Sequence, residues 1–162
     1  MGTIIRSILD LQENAFFCLH DFLGPCRDVY LKLEGLNAAG SVKFKPARQM
    51  IQELEEHDII QPGRSKIVES SSGNLGVALA LVCKVQGYPF TCVTDPNANP
   101  AHLAHICRYG GEVVAVTQRD SNGGFLQTRL ALIRQMLRDD RTYVWTNQYA
   151  NPANPQSHFG PC

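Results

Sequence analysis

From residue 43 onward the chain switches repeatedly between two hydrophobic periods, and this alternation limits the folds open to it. Short runs rich in β-formers stand at 66–70 (KIVES), 90–95 (FTCVTD), 112–117 (EVVAVT) and 142–148 (TYVWTNQ). Between and before them lie stretches with apolar residues at helical spacing, at 47–60, 73–87, 100–110 and 123–139. Gly87 and Gly110 close two of these stretches and Pro100 opens one, as helix boundaries commonly do. Strands separated by helices of this length cannot pair as hairpins; they need right-handed crossovers in a parallel sheet covered by helices. The expected fold class is therefore α/β, a parallel sheet covered by helices.

The first forty residues fit the alternation less well. Runs at 16–22 (FFCLHDF) and 29–35 (VYLKLEG) look like strands joined only by a loop containing Gly24 and Pro25, which suggests a different sheet. No internal repeat or low-complexity segment is present, although DPNANPAH and NQYANPANPQSH are loop-rich in Asn and Pro.

Fifteen basic and fifteen acidic residues cancel, and the basic ones are scattered, which argues against nucleic acid or an anionic membrane as partner and favours small molecules. The apolar stretch LGVALALVCKV is broken by Lys84 and is too short to span a bilayer, so a cytoplasmic location is expected. The six cysteines form no C-x-x-C pair and are expected to be reduced thiols that mostly pack as small apolar side chains. His102 and His105 lie three apart on a helix with no evident third ligand, so an amphipathic helix explains them and no metal site is expected. Arg119, Asp120, Asp139 and Asp140 read as loop and helix-end charges.

Ligands of parallel α/β sheets bind beyond the carboxyl ends of the strands. There, VESSSGNLG places three hydroxyls, a glycine and an amide between a strand and a helix N-terminus, where free N–H groups favour an anion. Ser71, Ser72, Gly73 and Asn74 could hold a carboxylate or phosphate; equally, one serine could be an N-cap and the others loop. A second loop, GSVKFKPARQM, carries Lys43 and Lys45. Pro46 is tolerated only in a first helical turn, so Lys43 belongs at or near the helix tip, where the dipole opposes a cation. The unprotonated amine is the form that attacks an aldehyde in Schiff-base chemistry, while two solvated surface lysines would look the same in sequence.

Taken together, NAAGSVKFKPA, ESSSGNLG and NQYANPANPQSH resemble, in order and spacing over roughly residues 29–158, the cysteine synthase family of fold-type II pyridoxal-phosphate (PLP) enzymes. The stretches ESSSGNLGVALA, TCVTDPNANPAHL, GGFLQTRL and NQYAN are closer still to the members that make N-(2-amino-2-carboxyethyl)-L-glutamate. Those members join O-phospho-L-serine to L-glutamate through an aminoacrylate and release phosphate, a step toward 2,3-diaminopropionate in siderophore assembly. The resemblance implies pyridoxal 5'-phosphate as cofactor, with Lys43 as its Schiff-base lysine and the base that moves the substrate α-proton. It implies that Asn74 bonds the pyridine hydroxyl, that Ser71, Ser72, Gly73 and Asn74 grip the substrate α-carboxylate and close over it, and that Gln148 contacts the same carboxylate. Lys45 is expected to face solvent or an anionic group. Alternative expectations are a cysteine synthase that uses O-acetylserine or O-phosphoserine with sulfide, or an inactive fragment that binds a protein partner.

The resemblance also implies a division of the chain: 1–42 as strands of a second-domain sheet, 43–150 as the small α/β domain, and 151–162 as the start of a crossover. No Gly-Thr-rich loop for the cofactor phosphate, and no residue matching the partner of the pyridine nitrogen, occurs in the 162 residues. The chain is expected to represent the N-terminal half of the family architecture, with a homodimer or a partner chain covering apolar surface.

Overall fold

The computed structural model describes residues 7–10 and 15–159. Residues 1–6 and 11–14 of the segment 1–42 and 160–162 of the segment 151–162, Cys162 among them, lie outside the described residues. The elements are β1 (Phe16–Leu19), β2 (Val29–Lys32), α1 (Phe44–Glu56), β3 (Lys66–Ser70), α2 (Asn74–Gln86), β4 (Phe90–Thr94), α3 (Pro100–Arg108), β5 (Glu112–Ala115), α4 (Leu126–Asp139), β6 (Tyr143–Trp145) and α5 (Ala153–Gln156). Strands β1 and β2 pair antiparallel as a sheet of their own. The other four form one fully parallel sheet in the order β5-β4-β3-β6.

That order dictates where the helices go. The chain moves from β3 to β4 to β5 through α2 and α3, then returns past its starting strand to β6 through α4. Right-handed crossovers that run in opposite directions along a sheet place their helices on opposite faces. Two apolar cores result, and neighbouring residues of one strand serve different ones: Ile67 and Cys92 pack with α1, α2 and α3, whereas Val68 and Val93 pack with Phe125, Ile133 and Trp145 on the α4 side. Between β3 and β6 the chain direction of the winding reverses, which leaves a crevice beyond their carboxyl ends.

Helix α2 is apolar almost all round, with every residue from Leu75 to Cys83 buried. It is wedged among α1, α3 and the sheet, so its middle turns are shut off from water while Asn74, Lys84 and Val85 at its ends are exposed. Gly87 ends it in the left-handed conformation, φ +81°. Gly76 is required by proximity: a Cβ there would lie 3.1 Å from Cys92 Sγ, 3.1 Å from Ile106 Cδ1 and 3.3 Å from Ser71 Cβ.

One boundary differs from the sequence reading. Helix α1 begins at Phe44, with Lys43 at its tip as Pro46 requires, and Phe44 extends the buried stripe of Ala47, Met50 and Ile51. It ends at Glu56 rather than 60, since Asp58 takes a left-handed conformation at φ +55°. The expectation that the cysteines mostly serve as apolar packing is also corrected: of the five described, Cys83 and Cys92 are buried, Cys18 is half-buried, and Cys26 and Cys107 are exposed. No helix among the described residues is long and apolar enough to cross a membrane.

Candidate active site

Lys43 is set in place by the turn before it. The Asn37 side chain accepts the amides of Ala39 (3.1 Å) and Ser41 (3.3 Å) and donates to the carbonyls of Glu34 and Ser41, both at 2.7 Å. Ser41 Oγ then accepts the Lys43 amide at 3.3 Å. Lys43 becomes the N-cap of α1, with Pro46 in the first turn, where a missing N–H costs nothing. Lys45, two residues on, points the other way and pairs with Glu34 at 2.9 Å. Lys43 Nζ takes part in no hydrogen bond or ion pair among the described residues.

The serine loop meets Lys43 from β3. Gly73, the N-cap of α2, offers no side chain to the helix end. Ser71 Oγ takes over part of that task, accepting the amides of Gly73 (3.3 Å) and Gly76 (3.0 Å). The amides of Asn74 and Leu75 at the tip have no such cap among the described residues, which leaves a helix end suited to an anion. Ser71 is thus both a capping residue and a wall of the site; Ser72 and Asn74 are exposed. The Cys92 thiol donates to the Ser71 carbonyl at 3.2 Å, and burial pushes this thiol up to about 12, so it acts as a neutral donor.

Glu69 ties the two strand ends together. It is fully buried, and its carboxylate accepts the Ser70 amide (2.7 Å), Trp145 Nε1 (3.1 Å), the Thr146 hydroxyl (2.6 Å) and the Gln148 amide (2.9 Å). Burial raises its pKa above the usual carboxylate range, against the opposing effect of these bonds. Gln148 Nε2 donates one N–H to the Ser70 carbonyl at 2.6 Å and has a second N–H to offer. The Asn-rich stretch beyond it is a set of staples: Asn151 Nδ2 donates to the Thr146 carbonyl at 3.0 Å and Asn154 Nδ2 to the Gln148 carbonyl at 2.9 Å.

These segments enclose one cleft of about 300 Å³ at the reversal point of the sheet. All six residues singled out in the sequence, Lys43, Ser71, Ser72, Gly73, Asn74 and Gln148, line it. The structure adds Ser70, Arg129 and Tyr149. Arg129 comes from α4 on the far face of the sheet, pairs with the buried Asp95 at 3.3 Å, and leaves its Nε buried and unpartnered. The Ser70 hydroxyl is likewise buried and unpartnered. Arg129 was not singled out in the sequence; its signal was a cation four residues before Ile133, on the buried side of α4.

The profile of the family described as pyridoxal-phosphate dependent enzyme matches residues 19–160. The chain belongs to this family. It is 48% identical over 136 residues to the N-(2-amino-2-carboxyethyl)-L-glutamate synthase of Ralstonia nicotianae, covering 84% of this chain and 40% of that protein. The synthase of the same name from Cupriavidus metallidurans is also 48% identical, over 132 residues that cover 82% of this chain and 38% of its own. The chain thus spans about two fifths of the length of these curated relatives. Among solved structures, a hydrogen sulfide-producing enzyme from Fusobacterium nucleatum superposes with a TM-score of 0.86 at 25% identity, over 99% of this chain and 51% of that one. O-ureido-L-serine synthase gives a TM-score of 0.80 at 31% identity, over 96% and 48%. The parallel α/β architecture expected from the resemblance is the one observed.

The cofactor of a pyridoxal-phosphate dependent enzyme needs an amine for its aldehyde and polar groups for its ring substituents and its amino-acid substrate. The cleft is lined by an uncommitted lysine, by the α2 tip, and by Ser70 and Arg129, whose Oγ and Nε are buried without a partner. These residues fit the aldehyde-bearing edge of the cofactor and a substrate anion.

Proposed function

We propose that this chain carries the lysine-bearing half of a β-replacement site, which exchanges the β-oxygen substituent of O-phospho-L-serine for the amino nitrogen of L-glutamate. The product is N-(2-amino-2-carboxyethyl)-L-glutamate, with phosphate released. One observation carries this reading: an uncommitted amine at one helix tip faces an anion-binding helix tip and a buried guanidinium across a single cleft. The names of the 48% identical relatives favour glutamate as the second substrate.

Bound pyridoxal phosphate supplies the electron sink that makes an amino acid's α-proton acidic. Lys43 is the residue that would hold the aldehyde end of the cofactor, and its amine is the group that would move the substrate α-proton. Asn74 would offer its carboxamide to the ring hydroxyl. The α2 tip, with the hydroxyls of Ser71 and Ser72 and the second Gln148 N–H, binds the α-carboxylate. Arg129, held by Asp95, offers its free Nε edge to a second anion, suited to the phosphate that leaves. Closure of the exposed Ser72–Asn74 turn over the bound substrate excludes water from the reacting carbons.

The site is completed by groups for the cofactor phosphate and ring nitrogen from outside these 162 residues. We place residues 1–42 in the sheet of that second domain, 43–150 as the lysine-bearing domain and 151–162 at the crossover, in a cytoplasmic homodimer serving siderophore precursor synthesis. Incubating the PLP-loaded protein with O-phospho-L-serine and either L-glutamate or sulfide, with mass spectrometry of the products, tests the reading. The glutamate adduct with stoichiometric phosphate supports it; cysteine from sulfide, with no adduct, overturns the choice of nucleophile in favour of a cysteine synthase.

A further inference from the structure

The hairpin of β1 and β2 carries a group of side chains that the cleft does not use. The register pairs Leu19 with Val29 and Cys18 with Tyr30, so the next residues, His20 and Asp28, face each other across the ribbon where it opens into the turn. Cys18, in β1, and His20, one residue past its end, lie on the same side of the ribbon. Cys18 Sγ is 3.7 Å from His20 Nδ1, and His20 Nδ1 is 3.2 Å from Asp28 Oδ2; all three atoms lie within 4.8 Å of one another.

This is not a nucleophile-base-acid relay. In a relay the imidazole uses one nitrogen for the nucleophile and the other for the acid, whereas here the thiol and the carboxylate crowd the same Nδ1. A ring nitrogen carries at most one proton, so Nδ1 can give a full hydrogen bond to only one of the two partners. A cation between the three atoms satisfies all of them at once.

The spacings suit a particular geometry. Tetrahedral zinc with bonds of about 2.3 Å to sulfur and about 2.0–2.1 Å to nitrogen and oxygen sets S···N at about 3.6 Å and N···O at about 3.3 Å. The observed 3.7 and 3.2 Å match both edges within a tenth or so of an ångström. The turn holds the carboxylate in advance: Asp28 Oδ1 accepts the Asp21 amide at 3.2 Å, and Asp21 Oδ1 accepts the Cys26 amide at 2.6 Å, which leaves Oδ2 free to face the other two ligands. The His20 side chain is 78% exposed, so an ion can reach the site from solvent.

We propose that Cys18, His20 and Asp28 form a zinc-binding site that clamps the hairpin, with water at the fourth position. A thiolate, an imidazole and a carboxylate together select a borderline-soft divalent ion over magnesium or calcium. The sequence spacing C-x-H followed by an aspartate eight residues later matches no ribbon or finger pattern, and only the strand register unites the ligands.

Titration of the reduced, metal-free chain with Zn²⁺, read by calorimetry, tests the site. One ion per chain is expected, with affinity reduced at least tenfold in each of Cys18→Ser, His20→Ala and Asp28→Asn, all checked for folding by circular dichroism. A second measurement needs no substitution: Zn²⁺ should slow alkylation of Cys18 at least tenfold and leave the exposed Cys107 unchanged. Undiminished Zn²⁺ affinity in Cys18→Ser, no uptake at all, or equal alkylation of Cys18 and Cys107 with Zn²⁺ present would each overturn the proposal.

Discussion

Replacing Glu69 with alanine tests whether its carboxylate is what locks the two strand ends around the cleft. The substitution orphans four donors: the Ser70 amide, the Thr146 hydroxyl, Trp145 Nε1 and the Gln148 amide. Ser70 and Thr146 are essentially fully buried, at 0% and 1% exposure, so each carries a full desolvation penalty of about 1–3 kcal/mol. Trp145 and Gln148 are half-buried and recover part of their loss from water. The gain is that a buried carboxylate no longer has to be desolvated. The balance is a destabilisation of about 2–4 kcal/mol, read as a shift in the urea midpoint at unchanged slope. A loss below about 1 kcal/mol would refute the reasoning, since it would mean the four donors find other partners without Glu69.

The same residue makes a pH prediction. Because burial raises its folded pKa, the folded state holds a proton that the unfolded state has already lost; stability is then full below the unfolded value and falls as pH rises through the folded one. In Glu69→Gln this part of the slope should vanish, as urea melts at a series of pH values would show. Asp140 behaves oppositely: its bonds to Thr142 and Lys66 hold it at about 2, so it adds stability above the unfolded carboxylate range that is lost as pH falls toward 2, and Asp140→Asn should flatten the acid limb of the melt. Gly76→Ala should cost about 1–3 kcal/mol in the same melts, because the added methyl meets Cys92, Ile106 and Ser71 on three sides. Arg129→Lys keeps the charge beside Asp95 but loses the planar fork, so KM for O-phospho-L-serine should rise about tenfold while the fold is retained.

The parallel sheet and its helices were legible because strand and helix periods differ and because Gly87, Pro100 and Gly110 mark boundaries by local sterics. Pro46 similarly placed Lys43 at a helix tip, since a ring without an N–H fits only there. What sequence could not supply were pairings across long separations. Glu69 looks like any charge in a β-rich run until β6 brings Thr146 and Gln148 beside it, 77 and 79 residues away. Arg129 looks like a surface cation until the return crossover puts α4 against the β3 end. Ser71 caps α2 and also lines the cleft, so a capping role does not remove it from the site.

Reconstitution of the chain with pyridoxal phosphate, borohydride reduction and peptide mapping of the pyridoxyl-lysine is the most direct test of the site. Label is expected on Lys43, absent from Lys43→Ala, with Lys45 unlabelled because Glu34 holds it. Label on other lysines with Lys43 unmodified would contradict it.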